Sequence, residues 1–223
     1  MTKKSFIYIS FLAIIPGGVF SQTIRGSLAT DLGLQYSFKK EQQYWAVGHT
    51  VHGVFNISSR DGAYAWISYY SEGKFKNNVT AIAKSSSTNP QQINYINSAK
   101  MRFKQFSMGW KHYFRGGCDI EEGWSLYGYS GFGLLLCRIE NTHSATVDTS
   151  RYADPVLTGK ANFKRLTLDL GLGWEVPLGG AIYFYNEVRL WIPTTHYASR
   201  YLFVNRDAPL VAMLNFGLRV FFD

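Results

Sequence analysis

The last fourteen residues, LVAMLNFGLRVFFD (residues 210–223), alternate between two kinds of side chain. One parity is wholly apolar: Leu210, Ala212, Leu214, Phe216, Leu218, Val220 and Phe222. The other parity is mixed and includes Asn215, Gly217 and Arg219. A period of two over this length predicts a β-strand with one apolar face. That face must be covered by a second layer of protein or by lipid.

Seven more segments show the same alternation, at about 27–38, 44–57, 63–74, 101–114, 124–139, 163–176 and 181–194. In the clearest of them, four alternate leucines (residues 166–172) face away from Arg165, Thr167 and Asp169. These segments exceed the roughly five or six residues of a typical soluble strand. They suit the about 9 to 11 residues that cross a bilayer at a tilt, with some overhang.

Charged residues on the polar parity favour a barrel over a sandwich, whose core could not hold them. They are Asp31, Arg165, Asp169, Glu187, Arg189 and Arg219. Closure makes the first and last strands neighbours, so we expect these six to form one network of paired charges in the lumen. Side chains fill the interior of an eight-stranded barrel, which predicts a structural network. An ion path or a catalytic cluster is the alternative.

Connections and aromatic residues support a membrane barrel. The links after the second, fourth and sixth segments are short, whereas those after the third, fifth and seventh are longer, about 25, 20 and 12 residues. Short periplasmic turns and longer surface loops are typical of outer-membrane barrels. Aromatic residues gather at segment ends, as interface girdles require: Phe38, Tyr44, Trp45, Phe114, Trp124, Trp174 and Phe222. The predicted fold is all-β, an eight-stranded antiparallel up-and-down transmembrane barrel.

The N-terminus is predicted to be a cleaved signal peptide, residues 1–21, followed by the barrel, residues 22–223. Two lysines precede the apolar run FIYISFLAIIPGGVF, and small residues precede Gln22. An N-terminal membrane anchor is the alternative, but this run is short and is broken by Pro16. The two cysteines, Cys118 and Cys137, are predicted to remain separate thiols, because an extended strand lies between them.

The closing stretch also carries a resemblance. Asn215, Gly217, Val220 and Phe222 resemble the C-terminal β-signal that barrel-assembly machinery reads, although Asp223 follows the last aromatic residue. The whole chain resembles small outer-membrane barrels of the OmpA-transmembrane and OmpX type, and porin-family or outer membrane beta-barrel domain proteins of Bacteroidota. This resemblance implies a Gram-negative outer-membrane location, with membrane lipid, lipopolysaccharide and the assembly machinery as partners.

A basic stretch follows the third segment. Between residues 72 and 104 the chain carries six cations against one acid: Lys74, Lys76, Lys84, Lys100, Arg102 and Lys104. We expect these residues at the outer rim of the barrel. Contact with lipopolysaccharide phosphates is one interpretation, and a solvated run of charge is the other.

The sequence shows little sign of catalysis or of cofactor or metal binding. His49 and His52 differ by three, so on a strand they face opposite sides. A resemblance to lipid A deacylases would require His and Ser two apart on one lipid-facing strand. His143 and Ser144 are adjacent instead, and His196 and Ser199 are three apart. No catalytic, cofactor or metal site is predicted.

We therefore expect a non-enzymatic outer-membrane barrel, structural, adhesive or assembly-related, with its loops as interaction sites. An accessory barrel of an envelope or type IX secretion machine, of the PorT kind, is the second hypothesis. A lipid A-modifying enzyme is the third. The sequence names no envelope protein partner, and nucleic acid is not expected as a partner of an exported barrel.

Overall fold

The computed structural model describes residues 25–194 and 209–222. Within them lie eight long strands and one short one: β1 (Arg25–Ser37), β2 (Trp45–Asn56), β3 (Asp61–Ala83), β4 (Gln92–Arg115), β5 (Ser125–His143), β6 (Tyr152–Ala153), β7 (Gly159–Gly179), β8 (Ile182–Pro193) and β9 (Val211–Phe222). A 3-10 turn, Lys40–Gln42, joins β1 to β2. The predicted signal peptide, His196, Ser199 and Asp223 lie outside the described residues. No described helix is long and apolar enough to cross a membrane.

The strands form one closed antiparallel ring. Their order is β2-β1-β9-β8-β7-β5-β4-β3, and β2 also pairs with β3. The closing pair runs from Gly26 opposite Phe222 to Ser37 opposite Val211. The predicted eight-stranded barrel is therefore confirmed. Because the ring is closed, the described wall has no unpaired strand edge. Lipid would not tolerate the unpaired backbone groups of such an edge.

Burial alternates along the strands of the wall. In β9, Asn215 and Arg219 are buried, whereas Leu214, Phe216 and Leu218 on the alternate positions are exposed. Leu32 and Phe132 on other strands are each 69% exposed. Apolar side chains thus cover the outside of the barrel. Soluble monomers rarely expose large contiguous apolar patches. The apolar face of the closing segment points outward, toward lipid.

Aromatic residues mark the ends of the wall, with one exception. Six of the predicted girdle residues are exposed: Phe38, Trp45, Phe114, Trp124, Trp174 and Phe222. Tyr44 instead is buried and points into the barrel, where its ring stacks on Phe75 and Phe103 at centroid distances of 5.9 and 6.2 Å. The prediction for Tyr44 was wrong because it lies before β2 begins, on the parity of the inward-facing Ala46.

One end of the barrel is closed by a short connection that folds back under the lumen. Residues 116–124 join β4 to β5, and the backbone N–H of Cys118 donates to the carbonyl of Ser59 (2.8 Å). Positive φ angles at Gly116 and Gly123, 71° and 82°, make this tight path possible. Cys118 is buried in this turn and Cys137 lies in β5, and both are free. The predicted pair of separate thiols is confirmed.

At the opposite end, which the longer connections predict to be the outer one, β3 and β4 continue well past their predicted limits of 74 and 101. The link between them is residues 84–91, not the expected loop of about 25 residues. In β3 the reason is a register shift between Tyr70 and Gly73, where Glu72 adopts a positive φ of 66°. Such a bulge moves the inward-facing positions to the other parity, so the alternation is broken in the sequence although the strand goes on.

The bulge also marks where β3 leaves the ring. Pairing between β2 and β3 ends at Val47 opposite Ser71. Beyond that point β3 pairs with β4 and, at its tip, with β6. We call residues 73–99 the outer extension. Its two strands stand above the shorter wall formed by β1, β2, β8 and β9.

Candidate functional site: a filled lumen and an outer extension

Arg189 is the centre of the first ion cluster in the lumen. Its Nη2 lies 2.7 Å from Asp31 Oδ2 and also contacts the carboxylate of Glu187. Its Nη1 donates to Thr50 Oγ1 (2.9 Å), and its Nε donates to Tyr129 Oη (3.2 Å). All three charged side chains are fully buried. A guanidinium buried with two carboxylates is stable only when every partner is present.

Tyrosine and histidine side chains complete this cluster. Tyr185 donates its hydroxyl to Asp31 Oδ2 (3.1 Å), and His52 Nε2 lies 3.0 Å from the same hydroxyl. Tyr127 donates to Glu187 Oε2 (3.1 Å). His52 is buried in the lumen whereas His49 is exposed outside, which confirms that these two histidines face opposite sides. Each of the two carboxylates is thus held by Arg189 and by one tyrosine of the lumen.

The second ion cluster joins Arg219, Glu175 and Lys111. Arg219 Nη2 and Nε lie 2.7 and 3.1 Å from the two oxygens of Glu175, a bidentate pair. Lys111 Nζ lies 3.6 Å from Glu175 Oε2 and 3.6 Å from the centroid of the Tyr127 ring. Arg219 also donates to the carbonyl of Cys118 (2.8 Å), which ties the infolded turn to the barrel.

The six predicted lumen charges therefore do not form one set of ion pairs. Arg219 pairs with Glu175, which was not among the six, while Asp31 and Glu187 pair with Arg189. Within the described residues Asp169 accepts hydrogen bonds from Gln105 (2.8 Å) and Thr167 (2.7 Å). Arg165 donates to the carbonyl of Lys164 and lies 4.6 Å from the Phe163 ring centroid.

Height along the strands explains the separation. Arg165 and Asp169 share a face of β7 but lie about 13 Å apart along it, so charges on one parity do not automatically meet. The inward parity of β4 and β7 did offer Lys111 and Glu175. Only the register shows that they belong with Arg219.

Large side chains fill the interior. The largest that are fully buried include Trp66, Trp191, Arg165, Arg189, Arg219, Tyr70, Tyr113, Tyr127, Tyr185 and Phe103. Within the described part of the chain, no three His, Cys, Asp or Glu side chains are grouped as metal ligands. The described lumen is thus built to be packed and paired.

The outer extension has a small core of its own. Val79, Ala81 and Tyr95 are buried against Tyr152 of the segment that links β5 to β7. β6 of that segment pairs with the end of β3, Ile82 opposite Ala153. Tyr152 donates its hydroxyl to the carbonyl of Pro90 (2.9 Å). The extension is therefore a folded unit, covered on one face by residues 144–158.

A polar group lies at the base of this unit. Tyr95 donates its hydroxyl to Asp154, and His143 Nδ1 lies 3.9 Å from the other oxygen of that carboxylate. Burial lowers the pKa of His143, and the charge of Asp154 partly opposes this effect. The hydroxyl of Ser144 accepts from the backbone N–H of Ile96 (2.9 Å). Ser144 and His143 thus serve separate contacts.

The predicted basic residues lie within β3 and β4, on outward-facing positions, except for Lys84 in the link. Lys74 Nζ lies 3.1 Å from Glu72, and Lys100 also pairs with that carboxylate. The hydrogen bond from Lys100 and, to a smaller extent, that from Lys74 lower the pKa of Glu72 to about 2. Lys84 donates to the carbonyl of Thr149 (2.7 Å). Arg102 and Lys104 lie lower, on the part of β4 that belongs to the wall.

The four residues of the predicted β-signal divide between the two faces of β9. Asn215 is buried in the lumen within hydrogen-bond distance of Tyr70 (2.9 Å). Gly217 also faces inward, where a Cβ atom would collide with the ring of Tyr185. Val220 and Phe222 face outward and are exposed. The structure gives each residue a packing role, and recognition by the assembly machinery stays a prediction.

Comparison with solved structures finds outer-membrane barrels. Neisserial surface protein A matches with a TM-score of 0.55 at 7% identity, over 87% of this chain and 96% of that one. A major outer membrane protein of Thermus thermophilus matches at 0.54 and 9%, over 88% and 99%. Ail, the attachment invasion locus protein of Yersinia pestis, in complex with the heparin analogue sucrose octasulfate, matches at 0.50 and 10%, over 90% and 100%. No protein-family model and no curated protein matches the sequence.

Proposed function

We propose that this protein is a non-enzymatic integral outer-membrane barrel, exported with a cleaved signal peptide, whose outer extension is an interaction surface. The observation that carries the proposal is the extension itself. A barrel that only spanned the membrane would not need 27 further residues with a separate apolar core, from Gly73 to Ala99. The outer-membrane neighbours in the structural comparison support the location.

The lumen is a poor place for the function, because its charges already hold one another. Arg189, Asp31 and Glu187 are fully buried and mutually paired. A substrate would have to replace these partners, and leaving a buried charge unpaired costs roughly 3 to 5 kcal/mol. The function therefore belongs to the outer surface.

The face of the extension that no described residue covers is suited to binding a protein. Thr80 donates its hydroxyl to Asn94 (2.8 Å), and these polar groups lie between Ile82 and Ile96, which are 56% and 45% exposed. The opposite face is covered by residues 144–158. A mixed apolar and hydrogen-bonding patch on a supported hairpin matches the composition of a transient interface. An adhesive or assembly-related role follows.

Photo-crosslinking in the native membrane tests the proposal. A benzoyl-phenylalanine replaces Thr80 in one strain and Leu218, an exposed residue of the lipid-facing wall, in a matched control strain. A third strain carries the crosslinker at Lys76 and has residues 77–97 replaced by Asn-Gly, a two-residue turn that joins the paired residues Lys76 and Ser98. The truncated barrel should keep its heat-modifiable migration on gels.

We expect a protein crosslink from Thr80 that is absent from Leu218 and from the truncated strain. A secretion or assembly subunit as the captured protein would identify an accessory barrel, and a host or matrix protein would identify an adhesin. The same crosslinks in all three strains would refute the extension as the interaction surface. Recovery of the protein in the soluble periplasm would refute the membrane location.

A further inference from the structure

The outer wall changes from apolar to basic within one row of side chains. Four outward-facing residues lie side by side across β3, β4, β5 and β7: Ile67, Phe106, Leu134 and Leu166. All four are exposed. In the next row outward, Lys104 lies opposite Leu136, which lies opposite Lys164. In the row after that, Arg102 lies directly opposite Arg138.

The pair of Arg102 and Arg138 is unfavourable by itself, because like charges at directly opposite positions destabilise a sheet. The cations farther out are compensated, since Lys74 and Lys100 pair with Glu72 and Lys160 lies 3.2 Å from Glu140. Within the described part of the chain, by contrast, no acid is within ion-pair distance of the four cations nearest the apolar row. These are Arg102, Lys104, Arg138 and Lys164. We call them the basic quartet.

The quartet lines a groove of about 730 Å³ on the outer wall, with Ile67 and Leu136 at its apolar end. Lys104 also lies 5.9 Å from the centroid of the Tyr69 ring. The feature is local, because the outward-facing positions of β1, β2, β8 and β9 carry no Lys, Arg, Asp or Glu in their described residues. General attraction to a charged membrane would not need such a cluster on one side.

We propose that this groove binds the phosphorylated headgroup of an outer-leaflet glycolipid of the lipid A class, with its acyl chains on the apolar row below. The inference rests on the proposed outer-membrane location. Guanidinium groups bind phosphate through charge-assisted, often paired hydrogen bonds. Four cations without an acid match a headgroup that carries two phosphates better than a phospholipid with one. The apolar row directly below the quartet offers the acyl chains of such a lipid a surface that is continuous with the site of its headgroup.

The test uses the full-length barrel in detergent micelles, with folding checked by heat-modifiable migration. Binding is measured by native mass spectrometry for bisphosphorylated lipid A, enzymatically dephosphorylated lipid A and phosphatidylglycerol. The variant R102Q/R138Q removes two charges of the quartet. The control R60Q/R115Q removes the same number of arginines at the inner end, where Arg60 precedes β3 and Arg115 ends β4.

We expect R102Q/R138Q to bind bisphosphorylated lipid A at least about tenfold more weakly than wild type, since charge-assisted hydrogen bonds are roughly twice as strong as neutral ones. The control should bind like wild type, and wild type should prefer the bisphosphorylated lipid. Equal binding by R102Q/R138Q, or equal binding of the dephosphorylated lipid or of phosphatidylglycerol, would overturn the proposal. The truncated barrel that lacks residues 77–97 keeps the groove, so a failure of the crosslinking proposal is separable from a failure here.

Discussion

The lower and outer parts of β4 differ in which side chains they bury, polar ones in the lower part and apolar ones in the outer part. In the lower part, Gln105, Ser107 and Lys111 are buried while Phe106 and Met108 are exposed. In the outer part the pattern is reversed. Phe103, Met101 and Ala99 are buried there, and Lys104, Arg102 and Lys100 face outward.

The reversal shows that the surroundings of the strand change from lipid to water between Phe106 and Lys104. Lipid favours apolar side chains outside, so the polar ones must find partners in the lumen. Water favours the reverse, and the outer extension accordingly packs like an ordinary soluble hairpin. The closed barrel has no strand edges to protect. The extension, in contrast, has its β3 edge paired with β6 and one face covered by residues 144–158.

The largest effect should come from breaking the lumen. Arg189→Leu leaves Asp31 and Glu187 buried without their cation, which should cost about 3 to 5 kcal/mol of unfolding free energy. Urea unfolding of the micelle-bound protein measures this cost. Arg60→Leu, in the exposed turn before β3, is the control and should change the midpoint little. Similar small losses in both variants would mean that the ion cluster does not stabilise the barrel.

The next prediction compares the middle of the lipid-facing wall with the row of Lys104, Leu136 and Lys164 at its outer boundary. Leu170→Arg places a charge deep in the apolar band and should cost about 2 to 4 kcal/mol, and it should impair insertion. Leu136→Arg, in the same row as Lys104 and Lys164, should cost at most about 1 kcal/mol. Insertion yield and urea unfolding compare the two variants. Equal costs would place the membrane boundary elsewhere.

A smaller and local effect is expected in the extension. Tyr152→Ala removes the largest side chain that covers its core, with an expected local loss of about 3 kcal/mol. Hydrogen exchange of residues 76–83 should accelerate, while the urea midpoint of the barrel stays unchanged. Tyr36→Ala, at a half-buried outward-facing position of β1, is the control for general loosening. Acceleration throughout the barrel would show that the two parts unfold together.

The smallest effect concerns pH at the base of the extension. Because burial lowers the pKa of His143, the unfolded segment binds a proton more readily than the folded one. Docking of residues 144–158 should therefore be strongest above the ordinary histidine pKa of about 6.5 and weaken as the pH falls below it. Hydrogen exchange of these residues at pH 7.5 and 5 measures this, and His143→Gln should remove the difference. Tighter docking at pH 5 would indicate that the ion pair with Asp154 dominates.

Much of the barrel was predictable from the sequence, because alternation in lipid is a strong signal. The inward parity of Asp31 and Arg219 and the outward parity of Leu214 and Leu218 followed from period two alone. Of the six predicted lumen charges, Asp31, Glu187 and Arg189 pair with one another within the described residues, and Arg219 pairs with Glu175 instead. Which charges pair depends on how far along the barrel axis each side chain lies, and a single sequence does not give this position.

The outer extension and the basic quartet could not be predicted without knowing the register of the strands. The bulge at Glu72 shifts the parity of β3, and polar residues such as Asn77 and Asn78 follow it, so the strand resembles a loop in the sequence. Arg138 and Lys164 stand far from Arg102 in the chain and were not among the predicted basic residues. Pairing of β4, β5 and β7 brings them together.

Cysteine labelling along the outward face of β4 tests the reversal most directly. Single cysteines replace Met108, Phe106, Lys100 and Ser98, while the two native cysteines are buried. A lipid-phase probe should label positions 108 and 106, and a membrane-impermeant maleimide added to intact cells should label positions 100 and 98. Labelling of all four positions by the same probe would contradict the switch from lipid to water on which the account depends.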